Sequence, residues 1–244
     1  MREGGQILSR AMKELGKKVK PGITTKELDK VAYDLVLKLG AKPAFLNYLD
    51  EKDKSSKPFP ASLCTSVNNE IVHSLPSGRI LKEGDIITLD FGVYYKGFYT
   101  DMAESFGVGG IDPEAKRLIK VTKKALKRGI KKAKVGNTFG DVGNTIQRFV
   151  ESQGFSVVRE LCGHGIGKKL HEDPQILNYG QRKTGAEIKE GMVFCIEPMV
   201  TVGDWKLKKS ADGFGFETTD GSLACHFEAT LAIVNGSPLI LTDI

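Results

Sequence analysis

The sequence contains few histidines, cysteines and tryptophans. Its 244 residues include four histidines, four cysteines and one tryptophan. The cysteines form no CxxC pair, which argues against a zinc knuckle or a thioredoxin-like redox motif. No apolar run reaches the ~18–20 residues of a membrane-spanning helix, and the N-terminus lacks a signal-peptide pattern. We therefore expect a cytoplasmic protein with free thiols and no membrane segment.

The composition is that of a globular domain. Hydrophobic residues make up 40% and charged residues 27% of the chain, and the formal net charge is +6. Much of this charge lies in Lys13–Lys20 and Lys116–Lys134. Such clusters are typical of solvated helix faces, although they also allow a transient contact with the ribosome surface. Because no aromatic residues interleave with the basic ones, a specific nucleic-acid ligand is not predicted.

The chain repeats itself once. Ala11–Thr24 aligns with Ala125–Thr138, and in each copy the final threonine begins a capping box, with Glu27 and Asp141 as the acids. Each half then reads as a helix followed by strands. This order predicts a single domain, residues 1–244, internally duplicated as about 1–109 and 110–244. We expect an α+β fold in which two hairpin units form a central, mostly antiparallel sheet covered by helices on one face.

The repeat superposes four carboxylates. Asp90 matches Glu197, each at the end of a buried strand, and Asp101 matches Glu228. A hairpin turning at Lys96–Gly97 places the first two acids on neighbouring strands. Buried carboxylates without partners are costly, and no suitable basic residue lies close by in the sequence. Divalent metal ions are therefore predicted.

Three of the four histidines lie in suggestive places. His164 stands in GHGIG, where the flanking glycines allow close approach of another backbone. His73 and His171 occupy matching positions in the repeat, so they should face the centre from opposite sides. His226 lies two residues before Glu228, which directs it either to the same side as Glu228 or to the rim of the site. No role is assigned to it.

The chain resembles methionine aminopeptidases of type I, which have the pita-bread fold, from its first helix to about Val234. The resemblance is most specific in the segments SVNNEIVH, LDFGVYYKGFYTD, GHGIGKKLHEDPQILNY, IEP and FEAT. The short interval between Glu197 and Glu228 is similar to type I, because type II enzymes carry a helical insertion there. The resemblance implies removal of the initiator methionine from nascent polypeptides whose second residue is small.

The resemblance also implies a dinuclear metal centre. Asp101 and Glu228 would bridge two divalent ions, Asp90 would bind one of them, and His164 and Glu197 would complete the other. Oxygen ligands with a single imidazole suit cobalt, manganese, iron or zinc. A hydroxide activated by these ions would attack the scissile carbonyl.

Further roles follow from the same resemblance. Glu197 would act as the general base, His171 would donate a hydrogen bond to the developing oxyanion, and His73 would contact the amide nitrogen on the leaving side. A substrate methionine needs a soft, apolar pocket. The implied pocket residues are Tyr48, Phe59, Cys64, Leu170 and Phe214.

The sequence departs from the family at four places. Leu170 stands where Phe is common and Phe214 where Trp is common, so the pocket should be apolar but differently shaped. Ala229 replaces a usual histidine, which we expect to remove a hydrogen bond behind the metal ligands. The segment Asp50–Phe59 is a lengthened polar loop, expected to act as a lid or a partner contact.

Two other functions remain open. A proline-specific aminopeptidase or dipeptidase of the same fold would share these ligands, but such enzymes usually carry an additional N-terminal domain for which 244 residues leave no room. A non-catalytic relative associated with the ribosome or RNA would be favoured by loss of a ligand, and all five ligands are present. We expect a monomer that acts on the N-termini of nascent polypeptides.

Overall fold

The computed structural model describes residues 1–49 and 57–243, so most of the predicted lid segment, residues 50–56, lies outside the described residues. Within these ranges the helices are α1 (Arg2–Gly16), α2 (Thr25–Lys38), α3 (Pro113–Lys132) and α4 (Phe139–Ser152). The strands are β1 (Lys42–Pro43), β2 (Cys64–Val67), β3 (Glu70–Val72), β4 (Ile86–Tyr95), β5 (Phe98–Gly107), β6 (Ser156–Val157), β7 (Gly163–Gly165), β8 (Glu172–Ile176), β9 (Val193–Ile196), β10 (Met199–Thr201), β11 (Leu207–Lys209), β12 (Phe216–Thr218), β13 (Ala224–His226), β14 (Glu228–Val234) and β15 (Ser237–Ile240).

One large sheet organises the described part of the chain. Its strand order is β1-β4-β5-β14-β9-β7-β8, with β2 also paired to β4 and β15 to β14. The pairings in this sheet are antiparallel. Two smaller sheets have the orders β13-β10-β6 and β11-β12-β3. The predicted α+β class with a central antiparallel sheet is confirmed.

The hairpin of β4 and β5 carries the first two predicted ligands. Lys96 and Gly97 form its turn with φ values of 49° and 88°, the positive values that a two-residue type I′ turn requires. Asp101 pairs with Gly92, two residues after Asp90. The two carboxylates therefore lie on neighbouring strands, as predicted from the sequence.

The expected hairpin in the second half is wrong. Strands β9 and β14 do pair antiparallel, but the chain between them forms β10 to β13. These four strands pair in the two smaller sheets, so the connection leaves the large sheet before it returns. The acids at the ends of this connection are still brought together by the direct pairing of β9 with β14.

Helices α2 and α4 begin where the sequence predicts capping boxes, and each packs with the helix that precedes it. Capping boxes join Thr24 with Glu27 at α2 and Thr138 with Asp141 at α4, as predicted. One hydrophobic cluster joins α1 and α2 to β4, and a second joins α3 and α4 to β9 and β14. None of the helices in the described ranges has the length and apolar character needed to cross a membrane. The internal duplication itself stays a prediction.

Glycines allow β7 to lie tightly between β8 and β9. A Cβ atom at Gly163 would collide with the carbonyl oxygen of Cys195, and one at Gly165 would collide with that of Asp173. Both obstacles are backbone atoms, which cannot rotate away as a side chain can. The close backbone approach predicted around His164 is confirmed, and it fixes where this histidine stands.

Gly165→Ala should therefore destabilise the protein. We expect a loss of about 1–3 kcal/mol in the free energy of unfolding, typical of overpacking, measured by urea denaturation. Gly78→Ala is the matched control, because a Cβ at Gly78 would meet nothing within 4 Å. Equal unfolding free energies for the two variants would show that β7 is not tightly confined.

Candidate metal centre

Four carboxylates converge from four segments of the large sheet. Asp90 lies on β4, Asp101 on β5 and Glu228 at the start of β14, while Glu197 directly follows β9. Each is at most 9% exposed. One oxygen from each of Asp90, Asp101 and Glu228 lies within 4.8 Å of the others. The structure thus brings the predicted acidic ligands together.

Burial disfavours the charged form of each of these acids. Burial raises the pKa of Asp101 to about 7, and burial together with the neighbouring carboxylates raises the pKa values of Asp90, Glu197 and Glu228 well above their ordinary range. Asp90 Oδ1 and Glu228 Oε1 have no hydrogen-bond partner in the described structure. A divalent cation would satisfy these oxygens and offset the repulsion. The residues present therefore fit a metal.

His164 presents a free nitrogen to the acids. Its Nδ1 lies 2.9 Å from the carbonyl oxygen of Gly165, and because a carbonyl only accepts, Nδ1 carries the hydrogen. Nε2 then has a lone pair, and it lies 3.6 Å from Glu197 Oε1 and 3.8 Å from Glu228 Oε1. Burial lowers the pKa of His164 to about 3, so the imidazole is neutral, as a metal ligand must be.

The other two predicted functional histidines are exposed, in contrast to the acids. The ring of His171 lies 4.4 Å from that of His164, measured between centroids, and its Nδ1 lies 2.7 Å from the Tyr48 hydroxyl. His73 has a φ of 60°, a strained value for a residue with a side chain. Both histidines are thus accessible from solvent, whereas the four carboxylates are enclosed.

The predicted pocket residues belong to one apolar cluster. Phe59, Cys64 and Leu170 are buried in it, and Tyr48 and Phe214 pack against it. The rings of Phe59 and Phe214 meet edge to face with centroids 5.7 Å apart. Burial, with nearby carboxylates, raises the pKa of the Cys64 thiol well above its usual value, so this wall stays uncharged.

Several members of this cluster were not predicted from the sequence. They are Ala44, Phe45, Ala61, Ile166 and Cys195. Cys195 lies two residues before Glu197, so the alternation of a strand was an available signal. The other four lie in loops, where sequence spacing does not show which side chains meet.

The structure decides what was expected at two positions near Glu228. His226 is 1% exposed, which excludes the rim, and its Nε2 lies 3.7 Å from Glu197 Oε2. Ala229 is buried in the cluster beneath α3 and α4, on the opposite face of β14 from Glu228. Position 229 therefore does not face the ligands, which corrects the expectation that Ala229 removes a hydrogen bond behind them.

Known proteins resemble the chain over its whole length. The model of metallopeptidase family M24 matches residues 1–235. A methionine aminopeptidase of Clostridium perfringens is 47% identical over 242 residues, which are 99% of this chain and 94% of that protein. Methionine aminopeptidase 1 of Bacillus subtilis is 44% identical over 244 residues, covering 100% and 95%.

The solved structures give the same result. The crystal structure of a methionine aminopeptidase from Thermotoga maritima superposes with a TM-score of 0.93 at 40% identity, covering 100% of this chain and 95% of that one. This confirms the expected pita-bread fold. With a family match over residues 1–235 and a buried cluster of carboxylates beside His164, the chain belongs to metallopeptidase family M24.

Proposed function

We propose that the protein is a methionine aminopeptidase, which removes the N-terminal methionine of new polypeptides when the second residue is small. The observation that carries this proposal is that the apolar pocket adjoins the carboxylate cluster. Cys64 of the pocket pairs with Asp90 in the sheet, and Cys195 lies two residues before Glu197. A substrate residue whose apolar side chain occupies this pocket would therefore have its backbone beside the four carboxylates. Relatives named methionine aminopeptidases support the same substrate here.

We assign two divalent ions to the centre, either cobalt, manganese, iron or zinc. Asp101 and Glu228 would be shared by both ions, Asp90 would hold one of them, and His164 and Glu197 would hold the other. The buried oxygens without partners and the lone pair on His164 Nε2 support this set. When bound, such ions acidify the attacking water and polarise the scissile carbonyl.

The chain's own side chains move protons and hold the substrate. Glu197 acts as the general base, accepting a proton from the attacking water and delivering it to the leaving amine. For His171 to donate from Nε2, its Nδ1 must accept a hydrogen bond, and the Tyr48 hydroxyl, 2.7 Å from Nδ1, is placed to supply it. His171 Nε2 then carries the hydrogen and donates it to the carbonyl oxygen as negative charge develops. His73 contacts the amide nitrogen on the leaving side.

The pocket selects an unbranched apolar side chain. Its walls are aromatic rings, aliphatic groups and neutral thiols, against which a flexible thioether packs well. A charged side chain would be buried without a partner. An alanine side chain would leave part of the pocket unfilled, with loss of transfer and packing energy. Selection at the first residue therefore follows from the pocket.

The proposal includes a cellular setting. The four cysteines are free, as in the reducing cytoplasm. The net charge of +6 supports a transient contact with the ribosome, where the N-termini of nascent chains emerge. The protein acts as a monomer, with one internally duplicated catalytic domain, and recognises no specific nucleic acid.

The bridging assignment predicts how metal content responds to substitution. Asp101→Asn should lose both ions, because it removes a carboxylate that contacts each of them. His171→Ala should keep both ions while kcat falls by roughly 10²–10³-fold, the usual cost of an oxyanion donor. Metal analysis after dialysis, with peptide assays on the same samples, checks both. Full occupancy in Asp101→Asn would refute the bridging role.

The pocket predicts a substrate pattern. Met-Gly, Met-Ala and Met-Ser peptides should be cleaved, while Met-Lys and Met-Phe peptides should react little, because a bulky second residue clashes beside His73. N-acetylated peptides should be inert, since a blocked amine cannot bind the metals. Turnover of a peptide panel with manganese, iron or cobalt supplied gives the answer.

The same panel separates the alternatives. Faster cleavage of Ala-Pro than of Met-Gly peptides would contradict the proposal and indicate the proline-specific enzyme. No cleavage of any peptide by fully metallated protein would indicate the non-catalytic relative.

A further inference from the structure

His226 is enclosed and held by its backbone, yet its side chain is unsatisfied. Its N–H donates to Ser105 Oγ at 3.2 Å, and its carbonyl oxygen accepts from the same hydroxyl at 2.8 Å. In the described structure neither Nδ1 nor Nε2 of its buried ring has a hydrogen-bond partner. Buried polar atoms are rarely left in this state. We therefore expect the imidazole of His226 to have a polar partner when the site holds its metal ions.

The carboxylate of Glu197 lies between two imidazoles, one near each oxygen. His164 Nε2 is 3.6 Å from Oε1, and His226 Nε2 is 3.7 Å from Oε2. Oε1 faces the side where His164 and Glu228 converge, which is the proposed site of the second ion. Oε2 faces away from His164, toward His226.

We propose that His226 is a positioning residue that donates a hydrogen bond from Nε2 to Glu197 Oε2, and so holds Oε1 toward the ion shared with His164. This inference rests on the proposed function, because that function makes Glu197 a metal ligand. Closing the distance from 3.7 Å to a hydrogen bond of about 2.9 Å needs a shift of less than ~1 Å. Outer partners of this kind orient ligating carboxylates and tune metal affinity.

Direct coordination by His226 is the competing arrangement. Atoms of Glu197, His226 and Glu228 lie within 4.8 Å of one another, so the spacing alone permits it. A ligating histidine, however, usually has its second nitrogen held by a backbone carbonyl or carboxylate. His164 meets this requirement through Gly165, whereas His226 Nδ1 has no partner in the described residues. The geometry therefore favours a hydrogen bond to the ligand.

The test compares two amides that differ by one methylene group. In His226→Gln the amide nitrogen can occupy the position of Nε2 and still reach Glu197, whereas in His226→Asn it reaches only the position of Nδ1. Metal-free proteins are titrated calorimetrically with manganese. We expect the affinity for the second ion to fall about 10–100-fold in His226→Asn and to be retained in His226→Gln.

Two controls make the comparison specific. Cys225→Ala alters the neighbouring residue of β13, which packs in the core on the other face, and should leave manganese binding unchanged. Unfolding curves of the metal-free variants report on general damage to the fold.

Two results would overturn the positioning role. Wild-type affinity in His226→Asn would show that no such hydrogen bond matters, and equal loss in both amide variants would indicate direct coordination. Manganese binding needs no substrate. If wild-type protein binds two ions but cleaves no methionyl peptide, the proposed function fails while the result for His226 stands.

Discussion

The burial of four carboxylates at one point is the constraint on which the rest of the structure depends. Asp90, Asp101, Glu197 and Glu228 are buried together, and the loss of hydration raises the pKa of each carboxyl group. Without cations, such a cluster is tolerated mainly by holding protons. Bound divalent ions would replace the protons and relieve the repulsion between the carboxylates. Metal binding and the folding of the site would therefore be coupled.

The antiparallel sheet supplies the rigidity that this cluster needs. Strand β14 pairs with β5 on one side and β9 on the other, so it joins the acids of the two halves of the chain. Two helix pairs pack against the sheet, while a separate apolar cluster contains the proposed pocket residues. His73 and His171 are exposed, whereas the four carboxylates are buried. Under the proposed function, this separation would let a substrate reach the metals without disturbing the residues that hold them.

Much of this centre could be predicted because its signals are local. Lys96–Gly97 marks a tight turn, and the turn alone places Asp90 beside Asp101. Strand alternation correctly predicted that His226 lies on the same side as Glu228. It could not reveal that the His226 ring lies beside the carboxylate of Glu197. The second hairpin was predicted wrongly because the sequence does not show that β10 to β13 pair in other sheets. The family pattern led us to expect that Ala229 removes a hydrogen bond behind the metal ligands. This expectation was wrong because the side chain of Ala229 faces the helices.

The most direct test of the metal centre is anomalous diffraction from crystals grown with manganese and measured at a wavelength where that metal scatters anomalously. If the proposed ligands are right, two peaks are expected, both touching Asp101 and Glu228, one also touching Asp90 and the other also touching His164 and Glu197. A single peak, or peaks bound by other residues, would contradict the claim that these buried carboxylates exist to hold a pair of ions.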